Sequence, residues 1–406
     1  MYGKGGQKFY VGFDPSSDSL QLGNMCAIMA AVNLMKYGNT CYFLVGGATG
    51  MIGDPSGKSA ERNFLGEEQL RNNEQAIYQQ LESFLEHLQQ KFNLKFSYKM
   101  VDNYDFYKDM SYLKFLSEVG KYITVNTMIA KESIKRRITD PEQSISYAEM
   151  SYMLIQGYDF VHLFEHEGVL LQLGGSDQWG NVITGIELIR KKYDKAAYAL
   201  TIPLITDATG KKFGKSEGNA IRLDHSKTSP YFVYQYFMNV ADQDLEQYLK
   251  ILTLLDLDQI QTILQEHNKK PELRYGQKEL AKAIIEVIFD KHAADQAEKI
   301  SDVLFGDEDK MKIISGFAQE DIDALYKETG GANVSFAEPV KFLDLCTQSG
   351  LSDSNGEAKK LIQSGSIFCN EAKIEDLQHI INNEHLVNGI LLLRKGKKVF
   401  KIVKIK

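Results

Sequence analysis

Cysteine is scarce in this chain: Cys26, Cys41, Cys346 and Cys369 are the four among 406 residues, and no two stand in a CxxC or other metal-ligating spacing. That excludes a disulfide scaffold and a structural zinc module, and it reads as reduced thiols in a cytoplasmic protein. Proline is scarce too, at seven, so there is no long proline-rich disordered tract. Long hydrophobic runs are missing. The most apolar stretch, residues 25–32, is eight residues long, well short of the roughly 18–20 that span a bilayer. It follows Asp14 and Asp18, which rules it out as a secretory signal. Excess positive charge is missing as well, since 47 Lys and Arg face 54 Asp and Glu. The deficit is uneven: the last thirteen residues, RKGKKVFKIVKIK, carry seven basic side chains and no acidic one. A basic end on an acidic body fits a polyanion-binding appendage, and a solvated lysine face fits the same charges.

The chain's length suggests two or three domains. Residues 8–13 (KFYVGF) are a β-prone run, residues 25–36 have helical composition up to Gly38, and residues 40–45 (TCYFLV) are a second apolar run. Strand, helix and strand within about 40 residues make a βαβ unit and a parallel sheet. Ligands of such sheets bind beyond the carboxyl ends of the strands. Further strands are expected over residues 169–173 and 200–206, and helices over residues 67–91 and 147–164. The texture is largely helical from residue 228 to about 328, and Gly330 to Asn333 reads as a linker. Two short helices and strand-like runs follow.

Five segments have the composition of a binding site, although each has an ordinary structural reading. GDPSGKS, from Gly53, has three residues between its glycines, where a Walker loop needs four. Gly46-Gly47-Ala48-Thr49-Gly50 does not fit the G-x-G-x-x-G fingerprint either, so a P-loop NTPase and a nicotinamide enzyme are disfavoured. DPSSDSLQLGN, from Asp14, offers neutral donors at Ser16, Gln21 and Asn24 ahead of a helix whose free N–H groups suit an anion; the same residues suit an ordinary helix cap. KKFGKS, from Lys211, puts Lys212 and Lys215 around a glycine, as mobile point charges over a polyphosphate or as an exposed basic loop. Tyr152, Gln156 and Asp159 share one helical face, which lines a polar pocket or meets solvent. LQLGGSDQWGN, from Leu171, ends a strand at Asp177 and Gln178, and its Trp179 suits the core.

Taken in order, these segments resemble bacterial tyrosyl-tRNA synthetases, a family of class I aminoacyl-tRNA synthetases, and the similarity covers nearly the whole chain. The resemblance rests on YVGFDPSSDSL, LVGGATGMIGDPSGKSAER, SYMLIQGYDF, LQLGGSDQWGN, IPLITDATGKKFGKS and KTSPYFVYQYF. It implies an α/β architecture with a Rossmann-like parallel-sheet catalytic domain over residues 1–225. A helical tRNA-binding domain would follow over 226–328, and a small α+β RNA-binding domain of ribosomal-protein type over 337–406. It implies that Tyr10 and Asp159 hold a substrate phenol, that Asp54, Tyr152 and Gln156 hold its ammonium group, and that Gln172 supports this pocket. Asp14, Ser16, Gly23, Gly175, Asp177 and Ser216 would serve ATP, with Asp177 on the ribose. Gln21, Asn24, Gln178, Lys212 and Lys215 would act on the reacting phosphates. The implied partners are L-tyrosine, ATP as substrate with Mg2+, and tRNA(Tyr). The family pattern also implies a cytoplasmic homodimer, with no membrane and no resident metal. The family's second signature is present as Lys212-Phe213-Gly214-Lys215-Ser216. Its first, His-x-Gly-His, here reads Gln21-Leu22-Gly23-Asn24, and the helical segment usual ahead of the first strand is not seen before Tyr10. The altered signature and the basic end leave a non-catalytic RNA-binding protein on this scaffold as the alternative reading. A tryptophan-specific relative suits Tyr10 and Asp159 less well, because an indole N–H needs only an acceptor.

Overall fold

Strand β1 (Lys8–Phe13) and strand β2 (Thr40–Val45) pair in parallel, flanking helix α1 (Leu22–Met35) in sequence. Their buried apolar side chains alternate to both faces, as expected of a sheet covered on each side. The computed structural model that defines this architecture describes residues 2–56, 66–140, 142–204, 220–335 and 339–405. The chain divides into two compact units: Met1–Thr228 with Ala241–Asn268, and Ser229–Val240 with Lys269–Lys406.

In the first unit, strand β3 (Ser97–Asp102), strand β4 (Leu171–Gly175) and strand β5 (Tyr198–Ile202) complete a five-stranded parallel sheet of order β3-β2-β1-β4-β5. The order reverses between β1 and β4. A crevice opens at such a switch point, beyond the carboxyl ends of the two strands. Register places Tyr10 of β1 directly beside Gln172 of β4, so their side chains emerge on one face. Between β2 and β3 run helix α2 (Thr49–Ile52) and helix α3 (Glu67–Lys91). Helix α4 (Tyr147–Glu167) precedes β4, and helix α5 (Trp179–Tyr193) joins β4 to β5.

Helix α4 has a boundary signal at each end. At its start, Ser146 Oγ accepts from the Glu149 N–H (3.2 Å) and Glu149 Oε2 accepts from the Ser146 N–H (3.3 Å), a reciprocal cap. Gly168 ends it in the left-handed region at φ 71°. Gly157 and Gly185 let α4 and α5 approach closely. A side chain at Gly157 would meet Leu188 at 2.9 Å, and one at Gly185 would meet Phe160 at 3.0 Å.

Several boundaries differ from the sequence reading. The strand expected over residues 169–173 starts two residues later, because the Val169 N–H is taken by Leu163 O at the end of α4. The strand expected over 200–206 closes at Ile202, where Pro203 has no N–H to offer the ladder. Helix α1 begins at Leu22 rather than at residue 25, which brings Gly23 and Asn24 into its first turn. Trp179 is not in the core; it is 51% exposed at the start of α5.

The second unit pairs helices with a mixed sheet. Its helices include α6 (Pro230–Met238), α7 (Tyr275–Ile288), α8 (Lys291–Phe305), α9 (Phe342–Gln348) and α10 (Asn355–Gln363). The sheet has strands β6 (Ala332–Val334), β7 (Ile367–Cys369), β8 (Ala372–Lys373), β9 (Ile390–Lys395) and β10 (Val399–Ile405), in the order β6-β10-β9-β7-β8. The run expected as a linker at Gly330 to Asn333 therefore enters a strand, which pairs in parallel with β10. Strand β9 explains its own unbroken apolar sequence. Ile390 and Leu392 join a core with Ile300, Val303 and Leu304 of α8, whereas Leu391 and Leu393 join another with Phe342 and Leu345 of α9 and Ile362 of α10. Both faces are covered, so no polar alternation is needed.

Arg137 and Glu149 form a buried ion pair in the first unit, joined by two parallel bonds of 2.9 and 3.0 Å. Glu149→Ala would leave the guanidinium buried without its acid. A loss of about 3–5 kcal/mol is expected in urea unfolding, and a loss below about 1 kcal/mol would show that water reaches Arg137.

Candidate active site

The switch-point crevice holds a cavity of about 480 Å3. Its walls come from the end of β1, the turn into α1, α2 and the turn after it, α4, and the end of β4 with the following turn. Tyr10, Asp14, Ser16, Gln21, Gly23, Asn24, Asp54, Tyr152, Gln156, Asp159, Gln172, Gly175, Asp177 and Gln178 all line it. Every sequence-predicted site residue within the described residues is thus brought to one place. Lys212, Lys215 and Ser216 lie outside the described residues. The helical face of Tyr152, Gln156 and Asp159 meets the cavity, with Tyr152 4% and Asp159 1% exposed, which settles the choice between pocket and solvent.

At one end of the cavity, Asp159 Oδ2 accepts from Asn103 Nδ2 (3.0 Å) and Asp159 Oδ1 lies 2.8 Å from the Tyr107 hydroxyl. Burial pushes the Asp159 carboxyl up to about 8, against the opposing pull of the Asn103 hydrogen bond. The Tyr10 hydroxyl, Gln172 Oε1 and Gln156 Oε1 are buried with no hydrogen-bond partner among the described residues. Buried polar atoms left this way are costly, and these three line the same cavity. Burial raises the Tyr10 hydroxyl well above its usual range, and the nearby Asp159 adds to the shift, so the phenol stays protonated and can donate.

A second set of carboxylates is fixed by the glycine-rich turn after β2. Asp14 Oδ1 accepts from Thr49 Oγ1 and Asp14 Oδ2 from the Tyr152 hydroxyl, both at 2.7 Å. Any side chain at Gly46 would meet Asp14 Oδ1 and Thr49 Oγ1 at 2.3 Å, so this turn requires glycine there. Asp54 follows Gly53, which turns the chain at φ 82°. Asp54 Oδ2 accepts from Gln178 Nε2 (2.6 Å), and Asp54 Oδ1 accepts from the Ser56 N–H (2.9 Å) and Asn181 Nδ2 (3.3 Å). With Asp14, Asp54, Asp159 and Asp177 on its walls and no basic side chain lining it, the described cavity is electrostatically suited to a cationic group.

The turn into α1 is arranged differently. Asn24 Oδ1 accepts from the Gln21 N–H (2.9 Å), so the oxygen of that amide is engaged and its NH2 group remains to donate. Backbone bonds from the Leu22 N–H to Ile221 O (3.0 Å) and from the Leu223 N–H to Leu20 O (2.9 Å) hold this turn against residues 221–223. A side chain at Gly23 would meet nothing within 4 Å; the glycine faces open space at the cavity wall. A side chain at Gly175 would meet Asp177 Oδ1 at 2.6 Å, so glycine clears the position of that carboxylate.

Sequence reasoning missed Asn103, Tyr107, Thr49 and Asn181. Asn103 and Tyr107 follow the carboxyl end of β3, where the same rim rule applies, but β3 has no strand signal of its own in the sequence. Its sequence, SYKMVD, is polar and half-exposed because it is an edge of the sheet. Asp102, its last residue, accepts from the N–H groups of Gly47 (3.1 Å) and Tyr104 (2.8 Å).

Comparison with known proteins adds the family. The family described as tRNA synthetases class I (W and Y) matches residues 4–306, about three quarters of the chain, and the tyrosine–tRNA ligase SYY-like C-terminal domain matches residues 321–403. The chain belongs to the class I tRNA synthetases of the W and Y type. It is 44% identical over 405 residues to a tyrosine–tRNA ligase of Bacteroides thetaiotaomicron, covering 96% of this chain and 91% of that one. It is 41% identical to a tyrosine–tRNA ligase of Streptococcus gordonii, covering 98% and 92%. Among solved structures, a C-terminally truncated mitochondrial tyrosyl-tRNA synthetase of Aspergillus nidulans superposes with a TM-score of 0.66 at 28% identity, over 74% of this chain and 86% of that one. This class I synthetase has the α/β Rossmann-like parallel core expected from its sequence.

Burial and the neighbouring Glu74 push Asp102 up to about 7. The unfolded value is about 3.9, so folding favours the protonated form; the stability it contributes is complete below about pH 4 and is lost as pH rises through about 7. Asp102→Asn keeps an acceptor for both N–H groups and removes the proton. Thermal unfolding across this range should show the variant gaining on wild type as pH rises. Parallel profiles would mean that Asp102 is ionised throughout.

Proposed function

We infer that this chain is a tyrosine–tRNA ligase. It joins L-tyrosine to ATP, giving tyrosyl-adenylate and pyrophosphate, and then passes the tyrosyl group to the 3′ end of tRNA(Tyr). The observation that carries this reading is the pairing of an unpartnered buried hydroxyl, Tyr10, with the buried acid Asp159 in a cavity also lined by Asp54, Tyr152 and Gln156. A phenol both donates and accepts a hydrogen bond, and these two groups supply one acceptor and one donor.

The residue roles are assigned as the resemblance to the family implies them. Tyr10 and Asp159 take the phenol, while Asp54, Tyr152 and Gln156 take the ammonium group and Gln172 supports them. Asp177 takes the ribose, and Gly23 and Gly175 let the nucleotide approach the backbone. Asp14 acts by fixing Tyr152 and Thr49, and Ser16 and Ser216 donate to the nucleotide. The tyrosine carboxylate is already a nucleophile. It attacks the α-phosphorus of ATP; the new C(O)O–P bond forms as the bond to the β-phosphate oxygen breaks. The protein aligns the two reactants and stabilises charge on the departing pyrophosphate. Gln21, Asn24 and Gln178 would do so with neutral N–H groups, and Lys212 and Lys215 with positive charge. Amides in place of the family's two histidines keep hydrogen-bond donors at these positions.

Magnesium is assigned to the nucleotide. Among the described residues no group of three His, Cys, Asp or Glu could hold an ion, and no step is assigned to a protein-bound metal. The second-unit sheet with its basic strand β10, together with the helical segment before it, is the proposed tRNA-binding part. We place the domains at 1–225, 226–328 and 337–406. A homodimer is supported by apolar side chains left exposed on the segments between β3 and α4, among them Leu113 (75%), Tyr112 (59%) and Val125 (56%). A cytoplasmic setting is supported by four buried free cysteines. No helix among the described residues is long and apolar enough to cross a membrane.

Tyrosine-dependent exchange of pyrophosphate into ATP tests the reaction. Exchange is expected, and Lys215→Ala should reduce it by about 10²–10³. A wild-type rate no higher than that variant's would leave an RNA-binding protein without ligase activity. Asp159→Ala should collapse the preference for tyrosine over phenylalanine, because phenylalanine leaves only one buried polar group unmet instead of two. An unchanged preference would place the phenol elsewhere.

A further inference from the structure

The Tyr107 hydroxyl has one proton and two acceptors within reach. Its oxygen lies 2.6 Å from the carbonyl oxygen of Ile155 and 2.8 Å from Asp159 Oδ1. If Asp159 were ionised, both neighbours would be acceptors only, and one of the two short contacts would set lone pair against lone pair. The conflict disappears when a proton sits on Asp159 Oδ1. The acid then donates to Tyr107, and Tyr107 donates to Ile155 O. Asn103 Nδ2 donates to Asp159 Oδ2 at 3.0 Å, which leaves a second lone pair on Oδ2 for a ligand.

We propose that Tyr107 is a specificity-positioning residue: its hydroxyl holds Asp159 as a neutral acid with the proton on Oδ1, so that Oδ2 meets the substrate ring purely as an acceptor. This rests on the reading of the cavity as a tyrosine site. The incoming phenol donates to Asp159 Oδ2 and accepts from Tyr10, whose hydroxyl has no other partner among the described residues. The polarity of the pair is thereby set before the substrate arrives. Phenylalanine would leave that lone pair and the Tyr10 proton unmet.

The surroundings favour the neutral acid. Tyr10 from β1, Asp14 after it, Asp102 at the end of β3, and Tyr107, Tyr152 and Tyr158 all act electrostatically on Asp159, and each is neutral or negative. Its two hydrogen-bond partners, Asn103 and Tyr107, are neutral. Burial drives the same way, toward a carboxyl that titrates near 8.

The test is an infrared difference spectrum of ligand-free enzyme, wild type minus Asp159→Asn, titrated over pH. A protonated-carboxyl band at pH 7 that is absent from Asp159→Asn is expected, and its absence from wild type would overturn the proposal. Tyr107→Phe separates the two possible directions of the bond. As an acceptor, Tyr107 stabilises the neutral acid, so its loss should move the band's midpoint down by about one pH unit, the worth of one neutral hydrogen bond. A midpoint that rises would make Tyr107 a donor to a carboxylate and sink the assignment. The same variant should raise KM for tyrosine about tenfold with kcat little changed. If circular dichroism shows Tyr107→Phe unfolded, the wild-type band decides alone. The band is read without substrate, so it decides the proton's place whether or not tyrosine-dependent exchange is found.

Discussion

The side chain of Asn103 holds three chain segments around the cavity. It is fully buried, and its oxygen accepts from the Ala48 N–H (2.7 Å) while its amide nitrogen donates to Thr49 Oγ1 (3.1 Å) and to Asp159 Oδ2 (3.0 Å). The turn after β2, the end of β3 and the middle of α4 are therefore fixed by one amide with both of its N–H donors engaged. Thr49 passes the constraint on to Asp14, and Asp14 passes it to Tyr152. Buried polar networks of this kind rigidify a site only when every member is satisfied.

The sheet supplies the frame and the network supplies the chemistry. A parallel sheet whose strand order reverses between β1 and β4 opens a crevice there whatever the side chains. What fills that crevice is unusual for a protein interior: several carboxyl groups within one cavity. They coexist because each is handled differently. Asp54 accepts three hydrogen bonds, Asp14 accepts two hydroxyls, and Asp159 is pushed toward its neutral form by burial. An acid-rich pocket with one neutral end can hold a substrate that is cationic at one end and a neutral alcohol at the other.

Much of this was legible in the chain. Strands β1 and β2 announce themselves as apolar runs because both faces are covered, and the helix expected over residues 147–164 is α4, which runs three residues further. The rim rule then points to Asp14, Asp54 and Asp177 from the sequence alone. The failures have separate causes. Strand β3 is at an edge and half-exposed, so it lacks the apolar signature, and with it went Asn103 and Tyr107. Strand β6 is three residues long and follows two glycines, so its pairing with β10 depends on contacts remote in sequence. Trp179 misled because its size argues for burial, whereas its place at the first turn of α5 sets it at the surface.

That exposed indole has a practical side. It is the only tryptophan in the chain, and it directly follows Gln178, which lines the cavity and is hydrogen-bonded to Asp54. Excited apart from the 21 tyrosines, the tryptophan fluorescence of the protein therefore comes from a single emitter one residue from the pocket wall, already half in water. Ligand occupancy can be followed through its emission in the unmodified chain, with no label attached and no second indole to dilute the signal.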